Sequence, residues 1–75
     1  MENKMDIACK VVALPDKNWQ RVKDGKDYTI EWTRRCGGWV RMKKNTTNTA
    51  WAIKYCEFKH SAEEEAERLF AMQLF

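Results

Sequence analysis

Residues 28–54 constrain this chain most. Tyr28-Thr29-Ile30-Glu31-Trp32-Thr33-Arg34 is rich in β-branched and aromatic residues, and Cys36-Gly37-Gly38 is a turn. A second alternating run at 39–44 follows, then Asn45-Thr46-Thr47-Asn48 turns the chain again into a run at 49–54. Three such runs with short polar turns between them predict an antiparallel meander. The register follows from matching the faces. A three-residue loop at 36–38 pairs Arg35 with Trp39, Trp32 with Met42 and Glu31 with Lys43, so that apolar meets apolar and opposite charges meet. A four-residue loop at 45–48 pairs Met42 with Trp51 and Val40 with Ile53. Tyr28, Ile30, Trp32, Val40, Met42, Trp51 and Ile53 then line one face and form the expected core. A slip of one residue would turn the whole set to the other side.

The flanks are read from the same rules. Ile7, Cys9, Val11 and Ala13 alternate with Asp6 and Lys10, which predicts a first strand over 5–14 ended by Pro15. Residues 15–27 read as a long polar loop holding Trp19 and Val22, with a tight turn at Lys23-Asp24-Gly25-Lys26. Ser61 and Glu64 match a capping box, and Ala62, Ala66, Leu69, Phe70 and Leu74 trace a stripe, so 61–75 is expected to be a helix. The 75 residues then make one domain, with β structure over 5–58 and a terminal helix over 61–75.

Lys10-Val11-Val12-Ala13-Leu14, the turn and strand at 22–30, and Tyr55-Cys56-Glu57-Phe58 together resemble small SH3-like barrels of phage and prophage type. The resemblance spans roughly residues 9–58 and implies a fold that is mostly β with one C-terminal helix. That fold is a small SH3-like barrel or a strongly bent antiparallel sheet. A second resemblance rests on Trp51, Phe58, Ser61, Glu64, Glu65 and Ala66. These are similar to the last strand and helix start of DNA-binding domains of the AP2 and phage-integrase arm type. That likeness implies an open sheet face that reads the DNA major groove.

Composition narrows the function. A chain this short excludes a two-domain enzyme, a Rossmann unit and a TIM barrel. Apolar runs stay at four residues or fewer until the C-terminal end, well short of the ~20 a membrane helix needs. The N-terminus lacks the apolar segment of a secretion signal, and three cysteines without a CxxC pair suggest free thiols in the cytoplasm. His60 is the single histidine. It has no evident partner for nucleophilic catalysis or zinc, so neither an enzyme nor a cofactor is expected.

The net charge is +3, but six basic residues and no acidic one fall between positions 34 and 54. The expected register turns Arg35, Trp39, Arg41 and Lys43 away from the core. A ring set among cations suits nucleic acid, because cations neutralise phosphates and the ring stacks on a base. The candidate contacts are Arg34, Arg35, Trp39, Arg41, Lys43 and Lys44, with Trp19 assisting from its loop. The structural alternatives are an Arg35–Trp39 cation–π pair on a solvated strand, or a C-terminal helix laid over this face with Trp39 in the core. The expected function is a non-catalytic module that binds DNA or RNA. The rival is a protein-binding inhibitor or modulator of a host or defence protein, using Trp19, the 36–38 turn and the apolar helix. That helix also offers a homodimer contact, and no membrane partner is expected.

Overall fold

The computed structural model describes residues 4–72. The meander is present as β2 (Tyr28–Thr33), β3 (Trp39–Lys44) and β4 (Ala50–Tyr55), and β1 (Gln20–Asp24) precedes it. The sheet is antiparallel and open, in the order β1-β2-β3-β4. β1 lies where a loop was expected. It has one apolar residue, Val22, because it is an edge strand that gains its ladder from β2 and turns only that side chain toward the core.

The β2–β3 register is Thr33↔Trp39, Trp32↔Val40, Glu31↔Arg41 and Ile30↔Met42. It differs from the expected pairing by two residues, so each side chain keeps its face but changes its partner. The cause is the connection. Arg35–Gly37 forms a 3-10 turn, and Cys36, Gly37 and Gly38 have successive positive φ values of 54°, 95° and 117°. This widens the loop to 34–38. At Gly38 a Cβ would stand 2.1 Å from the Cys56 carbonyl oxygen, so the turn requires glycine there. Met42 pairs with Trp51 as expected, but a bulge in β4 sets Val40 opposite Lys54 instead of Ile53.

One face of the sheet carries Ile30, Trp32, Val40 and Met42, all buried, with Val22, Tyr28 and Ile53 packed around them. α2 (Lys59–Met72) covers it through Ala62, Ala66, Leu69 and Phe70, an i, i+4, i+7, i+8 stripe. The Trp32 indole nitrogen donates to the Cys56 carbonyl at 2.9 Å. Trp51 departs from the expected core and is 42% exposed. It belongs to the edge strand, and α2 lies across β1 and β2, too far over to cover it. The Ser61 capping box is also absent. α2 starts two residues earlier, and the Phe58 carbonyl accepts from the Ser61 and Ala62 amides. The expected helix residues 73–75 lie outside the described residues.

The other face is covered by α1 (Lys4–Val12), where a strand was expected over 5–14. Ile7, Val11 and Leu14 fall at i, i+4 and i+7 and turn inward with Ala8 toward Trp19 and Trp39. Cys9, inward in the strand reading, is exposed. The first strand implied by the phage-type resemblance, at 10–14, is therefore helix and turn in this chain.

Candidate functional site

The expected basic–aromatic strip lies beneath α1. Trp39 is 5% exposed, Arg41 3% and Trp19 8%, so these three are core residues. Lys43 is half-buried. The covering element is the N-terminal helix, whereas the alternative considered was the C-terminal one. Glu31 and Arg41 face each other across β2 and β3, and Arg41 Nε donates to Glu31 Oε1 at 2.8 Å. Arg41 Nη1 donates to the Val12 and Leu14 carbonyls at 2.9 and 3.4 Å, and Nη2 to Asp16 Oδ1 at 2.5 Å. Its guanidinium carbon lies 4.2 Å from the Trp19 ring centroid. Lys43 Nζ donates to Asp16 Oδ2 at 2.8 Å and stands 3.9 Å from Glu31 Oε2. The hydrogen bonds from Lys43 and then Arg41 hold the Asp16 carboxyl below its ordinary range. Trp39 packs edge-on against Tyr55, with centroids 5.2 Å apart. In this setting Arg41 and Lys43 clip the chain after α1 to the sheet.

The remaining candidates separate. Lys44 stands at the far end of β3, beside Asp27, Tyr28 and Thr46. Arg34 and Arg35 are exposed on the β2–β3 turn. There they line an open groove of about 440 Å³ with Lys17, Asn18, Gln20 and Thr33. The ladder explains this meeting. Gln20 pairs with Trp32, so the residues before Gln20 run beside those after Trp32. Pro15 opens the 3-10 turn Asp16–Asn18, which sets Lys17 on the rim.

No carboxylate lines this groove, and Lys17, Arg34 and Arg35 form no ion pair among the described residues. Arg34 lies 5.6 Å from the Trp32 ring centroid, and the Arg35 amide donates to Thr33 Oγ1 at 3.3 Å. Three unneutralised cations around one concavity raise the local potential and favour an anion there. The two guanidinium forks match phosphate oxygens. Lys17 falls inside the loop expected over 15–27, and nothing in the sequence sets it opposite Arg34, because that requires β1 to be recognised as a strand.

Among the described residues, no group of three His, Cys, Asp or Glu side chains is placed to hold a metal ion. The three thiols are free, and burial raises the pKa of Cys56. His60 is exposed, 3.5 Å from Glu64. No helix among the described residues is long and apolar enough to cross a membrane. Comparison with protein-family models, with curated proteins and with solved structures finds no match for this chain.

Proposed function

We propose that this chain is a non-catalytic module that associates with nucleic acid through phosphate contacts at the Lys17–Arg34–Arg35 groove. One observation carries the reading: among the described residues, Lys17, Arg34 and Arg35 share a concavity without an ion pair and with no carboxylate in its lining. Cations are normally spaced or matched with acids on a protein surface, and a phosphate chain relieves their repulsion. Among the described residues the groove is lined by no aromatic ring, which favours recognition of the backbone over stacking. The phage-type likeness enters the reading only through the segments at 22–30 and 55–58. Of the three features of the rival reading, a protein-binding modulator using Trp19, the 36–38 turn and the C-terminal helix, Trp19 is buried in the core.

Fluorescence anisotropy with DNA and RNA oligonucleotides across salt concentrations tests this. Three phosphate contacts give a slope of log K against log salt of roughly −2 to −3. Arg34→Gln, Arg35→Gln and Lys17→Gln are each expected to reduce that slope by about one unit. Lys44→Gln, at the far end of β3, leaves it unchanged. Absence of binding at low salt, or a slope insensitive to all three groove substitutions, refutes the reading.

A further inference from the structure

The basic groove lies across a seam in the chain. One wall, Lys17, Asn18 and Gln20, belongs to the connection that leads from α1 into β1. The other, Thr33, Arg34 and Arg35, belongs to the end of β2 and the turn after it. α1 also packs against that turn. A group that touches both walls therefore joins the N-terminal segment 4–19 to the sheet.

That segment is held apart from the main core. Val11, Trp19 and Trp39, with Ile7, Ala8 and Leu14 around them, form a cluster distinct from the one beneath α2. Arg41 ties the segment down through the Val12 and Leu14 carbonyls, and Arg41 and Lys43 hold Asp16. Two effects oppose docking. Among the described residues the buried Trp19 indole nitrogen has no partner. Docking also brings Lys17 to the same concavity as Arg34 and Arg35, where like charges repel. Asp16 does not relieve that repulsion, because its carboxylate is engaged by Arg41 and Lys43. A helix held by a small core against such costs opens at a lower free energy than the sheet and α2.

We propose that a phosphate anion seated between Lys17 and the Arg34–Arg35 pair acts as a clamp that locks the N-terminal segment onto the sheet. This clamp rests on the proposed phosphate groove and gives that same site a regulatory role. The anion replaces repulsion across the seam with attraction to both walls, guanidinium forks on one side and an ammonium on the other. Opening the segment carries Lys17 away and dissolves the site, so a bound anion stabilises the docked state by mass action. Linkage makes the effect reciprocal: whatever loosens the segment weakens the hold on the anion. A nucleic-acid backbone and a free phosphate share this chemistry.

Native-state hydrogen exchange of the full chain tests the clamp. Inorganic pyrophosphate and a short oligonucleotide are the two probes, each compared with chloride at equal ionic strength. Without either probe, the amides of Cys9 to Val12 are expected to exchange through a smaller opening than those of Ile30 and Ala66 in the main core. At about ten times its dissociation constant, a probe should raise the protection of these α1 amides about tenfold. A response to pyrophosphate alone supports the clamp and counts against nucleic acid as its source. Lys17→Glu sets an acid against Arg34 and Arg35 in place of the anion. It is expected to raise α1 protection about threefold with no probe present and to abolish the response to both. Oligonucleotide binding in anisotropy with unchanged α1 exchange overturns the clamp and leaves the groove reading standing. The clamp also falls if the α1 amides open only together with Ile30 and Ala66, or if Lys17→Glu leaves their protection unchanged or lower. Absence of oligonucleotide binding together with no response to pyrophosphate refutes both the clamp and the groove reading.

Discussion

The two faces of this sheet solve the same burial problem by different physics. Under α2 the contacts are apolar: Ile30, Trp32, Val40 and Met42 meet Ala62, Ala66, Leu69 and Phe70. The other face presents Thr29, Glu31, Thr33 and Arg41, all buried, together with Trp39 and Trp19. The first face gains stability from area, at about 25 cal/mol per Å² of apolar surface, and that attraction has no direction. The second depends on saturating Arg41, whose donors reach Glu31, Asp16 and two backbone carbonyls at the end of α1. Hydrogen bonds of this kind have fixed lengths and angles, so they specify where the N-terminal segment sits as well as holding it. One polar atom is left over: the Trp19 indole nitrogen is buried without a partner, a cost on the polar side.

The largest expected effect is on the apolar face. Trp32→Ala removes a side chain with 2% exposure and should cost about 3–5 kcal/mol in urea unfolding, much of the stability of a small domain. A loss under about 1 kcal/mol would mean that α2 does not close the main core. Arg41→Ala should cost a similar amount, about 3–5 kcal/mol, for another reason: it strands Glu31 in the interior. The two faces then part in the double substitution. Glu31→Leu with Arg41→Met is expected to recover most of the loss, because an apolar pair often replaces a buried ion pair at little cost. If the double variant is as unstable as Arg41→Ala, the links to Val12, Leu14 and Asp16 outweigh the pair itself.

Acid sharpens the comparison further. Asp16 beside α1 and Glu65 on α2 both have lowered pKa values: Asp16 through hydrogen bonds from Lys43 and Arg41, Glu65 chiefly through its hydrogen bond with Arg68. A carboxylate with a depressed folded-state pKa stabilises the protein above its unfolded value. The unfolded chain takes up protons first, so stability declines as the pH falls through about 4 and below. Asp16→Asn and Glu65→Gln should each flatten this acid limb in pH-dependent urea melts. The Asp16 effect should be the smaller, about 0.5 kcal/mol near neutrality, since its carboxylate is largely solvated. An acid limb unchanged by both substitutions would place the titrating groups elsewhere. Trp51→Ala is expected to cost as little, about 0.5 kcal/mol, despite its position opposite Met42. The same residue type on the same face then separates by several kcal/mol according to whether a helix covers it.

The three meander strands β2, β3 and β4 and the α2 stripe were legible because they rest on local periodicity. Ile30, Trp32, Val40 and Met42 are core residues in both the reading and the structure, and a register error of two residues leaves that result intact. The N-terminal segment was misread because Ile7, Cys9, Val11 and Ala13 fit period two while Ile7, Val11 and Leu14 fit period 3.6. Over so few residues both patterns hold, and packing against Trp39 selects the helix. β1 was missed because an edge strand with one inward residue has almost no pattern to read. That miss also hid the groove, since Lys17 faces Arg34 only once Gln20 pairs with Trp32.

By itself the sequence determined a β-meander with a terminal helix, its apolar face, and a basic middle free of acids. These properties depend on neighbours within a few positions along the chain. Tertiary structure decided which cations are used internally and which stay exposed without an ion pair among the described residues. Arg41 and Lys43 have the same charge as Arg34 and Arg35 and stand fewer than ten residues from them. The first two are neutralised because α1 and its following turn bring Asp16 and two carbonyls onto their strand, contacts more than twenty residues away in sequence. Arg34 and Arg35 lie on a turn to which the described residues bring no acid. Composition counts all four charges alike, and only long-range packing separates the pair that holds the fold from the pair left exposed on the turn.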